Sequence, residues 1–319
     1  MTGADAMSRV TAVVVTWNGR ELIDGCLESV FGNAPLERSI EVVVVDNAST
    51  DGTAAHVRER WPAVRLIANT ENAGYTRANN QAIRATQGDY LLLINADARL
   101  EPGCADLLIA ALERDRRGAI AGPRLVFGDG SWQRWTAGRS PSLAAAANHY
   151  LFLDRLSPRL RGLYLSSDVR EPGAVDWVSS ACLVARRDAV EEVGLMDEGF
   201  FVYMDDVDLC QRVRDRGWRV WYEPRAQAVH FMGRSTRPLP GSIAPDALRN
   251  FNRYFAQRHG RVRELALRGI EALGFALRIA AYRARAAARG DPAASEKARM
   301  HLAYLRLVLG LTPTRTSRR

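Results

Sequence analysis

The stretch FVYMDDVDLCQR, residues 201–212, places Asp205, Asp206 and Asp208 within four positions, directly after a run of large apolar side chains. Like charges at that spacing repel, and repulsion raises the pKa of a carboxylate, which makes it a stronger base. Four uses fit the cluster: metal ligation, proton transfer, the acidic start of a helix, or plain solvation. Arg212, one turn further on, can neutralise part of the cluster or touch an anion.

The surrounding elements must position these acids. VTAVVVT at 10–16, EVVVVDNAST at 41–50 and DYLLLINAD at 89–97 are short apolar runs, each followed by polar turn residues. Such runs predict strands buried on both faces, the habit of parallel sheets. Between them, residues 20–31 put Leu22, Ile23, Leu27, Val30 and Phe31 on one helical stripe. Residues 51–60 follow good N-cap chemistry, and 75–86 and 101–114 are further helices, the last with Pro102 in its first turn. The alternation predicts a doubly wound α/β sheet to about residue 125, with right-handed crossovers. Residues 126–175, rich in Gly, Ser, Arg and Pro, predict a long variable excursion around the helical AAAANHYLFLDRL. Strand then helix return at 176–192, a helix at 204–216 closed by Gly217, and strands at 218–222 and 226–231. From 245 the chain reads as helical, broken at Gly290-Asp291-Pro292.

Ligands of an open parallel sheet gather beyond the carboxyl ends of its strands. Thr16-Trp17-Asn18, Asp46-Asn47-Ala48-Ser49 and Asn95-Ala96-Asp97 occupy those positions and should meet on one edge. Asp46, at the end of a buried strand, can accept hydrogen bonds from a ligand or cap the next helix. His230 ends the strand AQAVHF, and spacing alone makes it a structural histidine. GxGxxG and GxxxxGK[ST] are both missing from the first turn, which disfavours a nicotinamide cofactor and a P-loop.

Composition bounds the rest. The 319 residues suffice for one large α/β domain with an appendage, and 47% apolar residues mark an ordinary globular chain. No apolar run reaches 18 residues, the N-terminus lacks a secretory h-region, and the four cysteines lack metal or disulfide spacing; a cytoplasmic protein is expected. Residues 256–319 hold 14 Lys+Arg against 4 Asp+Glu, within a chain whose net charge is only +8. Such a tail suits an anionic surface or forms a solvated arginine face. No nucleic-acid motif accompanies it.

The strand–Thr-Trp-Asn opening, VVVVDNASTDGT, ENAGYTRANNQAI, Asn-Ala-Asp after a buried strand, and MDDVDLCQR occur in that order. Together they resemble the family 2 glycosyltransferases of GT-A fold, in particular the rhamnosyltransferase-like branch. The resemblance covers roughly residues 10–235. It implies a GT-A-type, Rossmann-like, mostly parallel sheet flanked by helices: a nucleotide-binding half at 8–125, an acceptor half at 126–240 and a basic helical extension at 241–319. It also implies an inverting transfer of a sugar, rhamnose by this branch, from a dTDP-, UDP- or GDP-linked donor to a glycan, lipid-linked or secondary-metabolite hydroxyl.

By the same resemblance, Thr16, Asn18, Asp46, Asn47 and Asn95 face the nucleotide. Asp97, with His230, holds Mn2+ or Mg2+, Asn95 standing where the family's metal motif has its first acid. Asp206 is the general base, and Asp205, where the family has Glu, orients it or the acceptor. Arg77, Asn79, Asn80 and Arg212 line the donor's phosphates or sugar, and Trp177 in WVSSAC offers a ring to the acceptor. The basic segment 256–319 is expected to touch the inner face of a membrane, or to pack on the body or on a second subunit as a homodimer. The substitutions at Asn95 and Asp205 leave a second reading open, a non-catalytic nucleotide-sugar-binding partner subunit.

Overall fold

The valine- and leucine-rich runs are strands with side chains shut off from water on both faces. The computed structural model describes residues 9–33, 38–157, 160, 162–165, 169–231 and 245–311. The chain runs β1 (Arg9–Thr16), α1 (Ile23–Gly32), β2 (Ser39–Asp46), α2 (Thr53–Arg60), β3 (Arg65–Ala68), α3 (Tyr75–Arg84) and β4 (Tyr90–Asn95). Next come β5 (Ala98–Leu100), α4 (Cys104–Glu113), β6 (Gly118–Val126), β7 (Ala137–Gly138), α5 (Leu143–Tyr150), β8 (Gly173–Val175), β9 (Trp177–Val178), β10 (Cys182–Arg186), α6 (Arg187–Glu192), α7 (Asp205–Asp215) and β11 (Arg219–His230). Three helices follow: α8 (Pro245–His259), α9 (Arg261–Arg289) and α10 (Pro292–Val308). The expected boundary at residues 240 and 241, residue 8 and the tail residues 312–319 lie outside the described residues.

Contacts divide the chain into two units, Met1–Gly138 with Tyr164–Arg237, and Arg139–Leu163 with Pro238–Arg319. In the first, the sheet order is β3-β2-β1-β4-β10-β6-β11-β5, with β8 also on β11. β3, β2, β1 and β4 are mutually parallel, in the register Thr16↔Asp46 and Val15↔Asn95, so the polar residues after these strands do share one edge. The rest is mixed. β10 runs antiparallel to both β4 and β6, while β6 and β11 are parallel. The two strands expected at 218–231 are one strand with a register shift between Glu223 and Gln227. Pro224, which has no N–H for the ladder, sits in that shift. β6 escaped the sequence reading because Gly118, Gly122 and Pro123 mask its apolar run. Gly122 is required there: a Cβ on it would stand 2.5 Å from Val178 Cβ.

The second unit joins α5 to α8, α9 and α10 around Ala146, Tyr150, Leu248, Phe255, Leu267, Phe275, Tyr304 and Val308. Residues 139–163 therefore leave the acceptor half that sequence assigned them to, because the apolar side of α5 is covered by the C-terminal helices. The expected continuous helix from 245 is interrupted at Gly260, whose φ of +83° ends α8 and starts α9. Asp291, just ahead of Pro292, caps α10, its carboxylate accepting from the Ala293 and Ala294 N–H groups.

Glu271, on the inner side of α9, is fully buried and accepts hydrogen bonds from Asn252 Nδ2, at 2.9 Å, and from the Tyr150 side chain. Burial pushes its carboxyl up to about 7. The folded state then holds a proton that the unfolded chain releases, so stability falls as pH rises from the ordinary Glu range through about 7. Glu271→Gln should match the native chain in thermal melts at pH 5. At pH 8 it should be more stable, by on the order of 2–3 kcal/mol.

Candidate active site

Asp46 ends β2 buried, and both its oxygens accept from Ser49, from Oγ at 2.5 Å and from the backbone N–H at 3.1 Å. It shapes the turn of its own loop. Asn18, in left-handed conformation at φ +52°, accepts from the Thr50 N–H at 2.8 Å and so ties the loop after β1 to the loop after β2. Asn47 donates to the Gly74 carbonyl at 3.2 Å and accepts from Asn69 Nδ2 at 2.9 Å, joining the β2 edge to the start of α3. Thr16 Oγ1, Asn95 Oδ1 and Asn79 Oδ1 are buried and make no hydrogen bond. Buried polar atoms are normally paired. Two of these orphaned oxygens, on Thr16 and Asn95, stand on adjacent strand ends, where they can accept from ligand donors or face a cation.

Asp97 and His230 meet where β5 pairs with β11, in the register Ala98↔His230. Asp97 Oδ1 lies 3.3 Å from His230 Nε2, both side chains being largely buried. That spacing is what two neighbouring ligands of one divalent cation adopt, given bonds of about 2.1 Å. The donor set, a carboxylate and an imidazole, fits manganese or magnesium completed by phosphate oxygens. Among the described residues no group of three or more His, Cys, Asp and Glu gathers as a metal cluster.

The acid cluster lies at the N-terminus of α7. Tyr203 and Met204, both at positive φ, turn the chain into that helix. Ser180 holds the two carboxylates together. Its hydroxyl donates to Asp205 Oδ2 at 2.9 Å, and its N–H donates to Asp206 Oδ2 at 3.3 Å. Asp206 also accepts from the Val207 N–H at 2.8 Å. Burial, then the neighbouring Asp206 and Asp208 charges, pushes Asp205 up to about 7. Burial likewise raises Asp206, against its bonds from the Val207 and Ser180 N–H groups. Desolvation thus outweighs the mutual repulsion that sequence emphasised. Asp205 is 3% exposed, whereas Asp206 is half-buried. Asp208 is occupied by Arg212 Nε at 2.7 Å.

Two further contacts fix this cluster. The Asn95 N–H donates to the Ala181 carbonyl at 3.0 Å, and Tyr75 Oη donates to the Ser180 carbonyl at 2.8 Å. The strand end that precedes Asp97 is therefore bonded to the loop that clasps Asp205 and Asp206. The start of α3 also grips the chain leading into α7: the Tyr75 N–H donates to the Phe201 carbonyl at 2.7 Å, and Thr76 Oγ1 to the Phe200 carbonyl at 2.6 Å.

Other expected site residues sit elsewhere. Arg212 donates from Nε to Asp208 and from Nη1 to the Val193 carbonyl, while its buried Nη2 makes no hydrogen bond. Asn80 is taken up by the Met196 backbone and Glu198. Asn79 donates to the Tyr75 carbonyl, and Arg77 is exposed on α3. Trp177 is buried at 6%, with the Tyr164 ring packed edge-on against it, so it presents no open face; the exposed aromatics include Trp17, Phe201 and Tyr203. Ser180, Tyr75, Gln133 and Gly74 were missed. For Ser180 the signal was its place in WVSSAC just ahead of β10; Gln133 gave none.

Residues 11–194, more than half of the chain, match the family described as Glycosyl transferase family 2. The chain belongs to that family. It is 34% identical over 238 residues to the N-acetylglucosaminyl-diphospho-decaprenol L-rhamnosyltransferase of Mycobacterium tuberculosis, covering 70% of this chain and 76% of that protein. It is 30% identical over 206 residues to the O-antigen biosynthesis protein RfbC of Myxococcus xanthus, covering 62% of this chain and 15% of that one. Among solved structures, it resembles a mannosyltransferase of Pyrobaculum calidifontis in complex with GDP-Man and Mn2+. The TM-score is 0.57 and identity 21%, over 96% of this chain and 87% of that one. This family 2 glycosyltransferase is thus rhamnosyltransferase-like, with the expected GT-A-type fold.

Gly74, at φ +83°, lets α3 approach the loop ahead of Asp205: a Cβ there would stand 2.6 Å from Phe201 Cδ2 and 2.9 Å from its carbonyl oxygen. Gly52 has a similar φ of +84° with open space around it. Gly74→Ala should cost roughly 1–3 kcal/mol in denaturant unfolding and lower turnover as well. Gly52→Ala should show the backbone strain in unfolding with turnover unchanged.

Proposed function

We propose that this glycosyltransferase moves a sugar, rhamnose by analogy with its mycobacterial relative, from a nucleotide-diphosphate donor to a hydroxyl of a lipid-linked or glycan acceptor, with inversion. The observation that carries the reading is the Ser180 clasp. It holds a carboxylate pair of raised pKa on a loop bonded to the strand end that leads to Asp97 and His230.

Thr16, Asn95 and the loop around Asp46 take the nucleotide, with Asn18 and Asn47 fixing the loops that shape its seat. Asp97 and His230 would hold Mn2+ or Mg2+, which when bound supplies charge neutralisation for the leaving diphosphate. Asp206, the more accessible acid, removes the proton from the acceptor oxygen as that oxygen attacks the anomeric carbon. Asp205, buried behind it, holds the Ser180 hydroxyl and keeps the Asp206 charge basic. One base and no carboxylate nucleophile give a single displacement, hence inversion, by the logic of inverting glycoside hydrolysis.

The acceptor side supports a membrane-surface partner. No helix among the described residues is long and apolar enough to cross a membrane. One face of α9, however, leaves Val262, Leu265, Leu273 and Leu277 exposed by 82%, 56%, 52% and 47%. At 100° per residue they form one stripe, with the exposed Arg263 beside it and the exposed Arg283 on its other border, at the angle of Leu265. The acids Glu264 and Glu271 point inward and are buried, and Asp291 is held by Arg285, so the exposed charge of the helix is basic. An apolar stripe flanked by arginines suits an anionic lipid surface.

Asp206→Asn should lower turnover by about 10²–10⁴. It should keep the melting-temperature rise produced by the donor in a nucleotide-sugar panel with Mn2+. In the native enzyme, turnover should climb as pH rises through about 7, where the clasped pair gives up its proton. A panel in which no nucleotide sugar shifts the melt ends the donor assignment, and unchanged turnover in Asp206→Asn ends its role as base.

For the membrane surface, the full chain should float with phosphatidylglycerol vesicles and not with phosphatidylcholine ones. Leu265→Glu with Leu273→Glu should abolish that flotation. Concentration-dependent dimerisation through this face, without lipid binding, would assign it to a second copy instead.

A further inference from the structure

Gln133 follows the loop after β6, in a segment that the sequence marks as variable, yet it is 1% exposed and held from four directions. Its N–H donates to the Leu125 carbonyl at 3.0 Å, and its own carbonyl accepts from Thr136 Oγ1 at 2.8 Å. Its amide Nε2 donates to the Val126 carbonyl at 3.1 Å and to the His230 carbonyl at 2.5 Å. Its Oε1 lies 3.1 Å from His230 Nδ1.

These contacts fix which way round the amide stands. Turned over, its oxygen would face two carbonyl oxygens, and neither side of those contacts has a proton to give. Oε1 therefore faces the imidazole. An amide oxygen only accepts, so Nδ1 must carry a proton. A neutral ring has one proton, so Nε2 is left with its lone pair, aimed at Asp97 Oδ1 from 3.3 Å. Two electron-rich atoms at that distance repel unless a proton or a cation lies between them.

We infer that Gln133 is a positioning residue that fixes the tautomer and orientation of His230, turning its Nε2 lone pair toward Asp97 as one half of a divalent-cation site. The assignment rests on the metal reading above, but its first half, control of the tautomer, is independently measurable. A hydrogen-bond partner on the far nitrogen of a ligating histidine typically contributes about 10–100-fold to metal affinity.

The test uses the full chain, labelled with 15N-histidine, at a pH where the imidazole is neutral. Long-range 1H–15N correlation spectra report which ring nitrogen carries the proton, and His230→Gln assigns the signal. Mn2+ affinity is measured alongside, from the EPR signal of free Mn2+. In the native chain His230 should be protonated on Nδ1. Gln133→Met, similar in size but without the amide, should give a mixture of tautomers and weaken Mn2+ by roughly 10–100-fold. Gln133→Ala, which removes the amide without setting an oxygen against the two carbonyls, should give the same mixture of tautomers and decides the matter if the Met variant does not fold.

A native His230 protonated on Nε2 would overturn the assignment. So would a Gln133→Met chain with the tautomer unchanged and Mn2+ affinity within twofold of native. If the native chain and His230→Gln bind Mn2+ equally, the metal reading falls, while the tautomer spectra still decide what Gln133 does.

Discussion

Two carboxylates sharing one serine are the constraint around which this enzyme is arranged. Asp205 and Asp206 are adjacent, and Asp205 is nearly closed to water. Removing ionised groups from water costs several kcal/mol each unless partners compensate. Here the partners are dipoles: the Ser180 hydroxyl and N–H, the Val207 N–H and the positive end of α7. Arg212, the nearest cation along the helix, is paired to Asp208. Partial compensation is what leaves the pair basic rather than silenced, since a direct arginine partner would drive both pKa values down.

That clasp determines what the sheet must do. Ser180 comes just before β10, and β10 lies between β4 and β6, antiparallel to both. A parallel strand in that place would end, rather than begin, at the ligand edge. Reversing β10 brings the loop that precedes it to the carboxyl end of β4, where the Asn95 N–H reaches the Ala181 carbonyl. α3 completes the frame: Tyr75 holds the Ser180 carbonyl from one side and the Phe201 carbonyl from the other. The Ser180-clasped carboxylates and the Asp97–His230 pair thus belong to one bonded framework with few rotatable links.

The Asp97–His230 pair is built by a different device. β5 is short, and its pairing with the end of β11 brings Asp97 and His230 side by side. The Phe231 N–H, donating to the Asp97 carbonyl at 2.8 Å, locks the two backbones. Gln133, bonded to the end of β6, then meets the far side of the imidazole. Carboxylate, imidazole and amide come from three separate parts of the chain, and each is fixed by backbone bonds before any ligand arrives.

Much of this was legible in sequence where the signal is local. Side-chain period fixes strand or helix, so β1, β2, β4 and α1–α4 followed from runs of valine, leucine and caps. Parallel strands in register gather their polar ends, so Thr16, Asp46 and Asn95 were expected together and are adjacent in the ladder. What tertiary structure alone decided are contacts between residues far apart in the chain: Tyr75 with Ser180, 105 positions away, and Gln133 with His230, 97 away. The reversal of β10, the transfer of residues 139–163 to the C-terminal helices and the burial of Trp177 belong to the same class. None leaves a periodic trace, because each depends on which surface happens to need covering once the local elements have formed. The raised pKa of the acid pair is also tertiary: three aspartates in a row are a property of sequence, but the loss of water that makes two of them basic is a property of the fold.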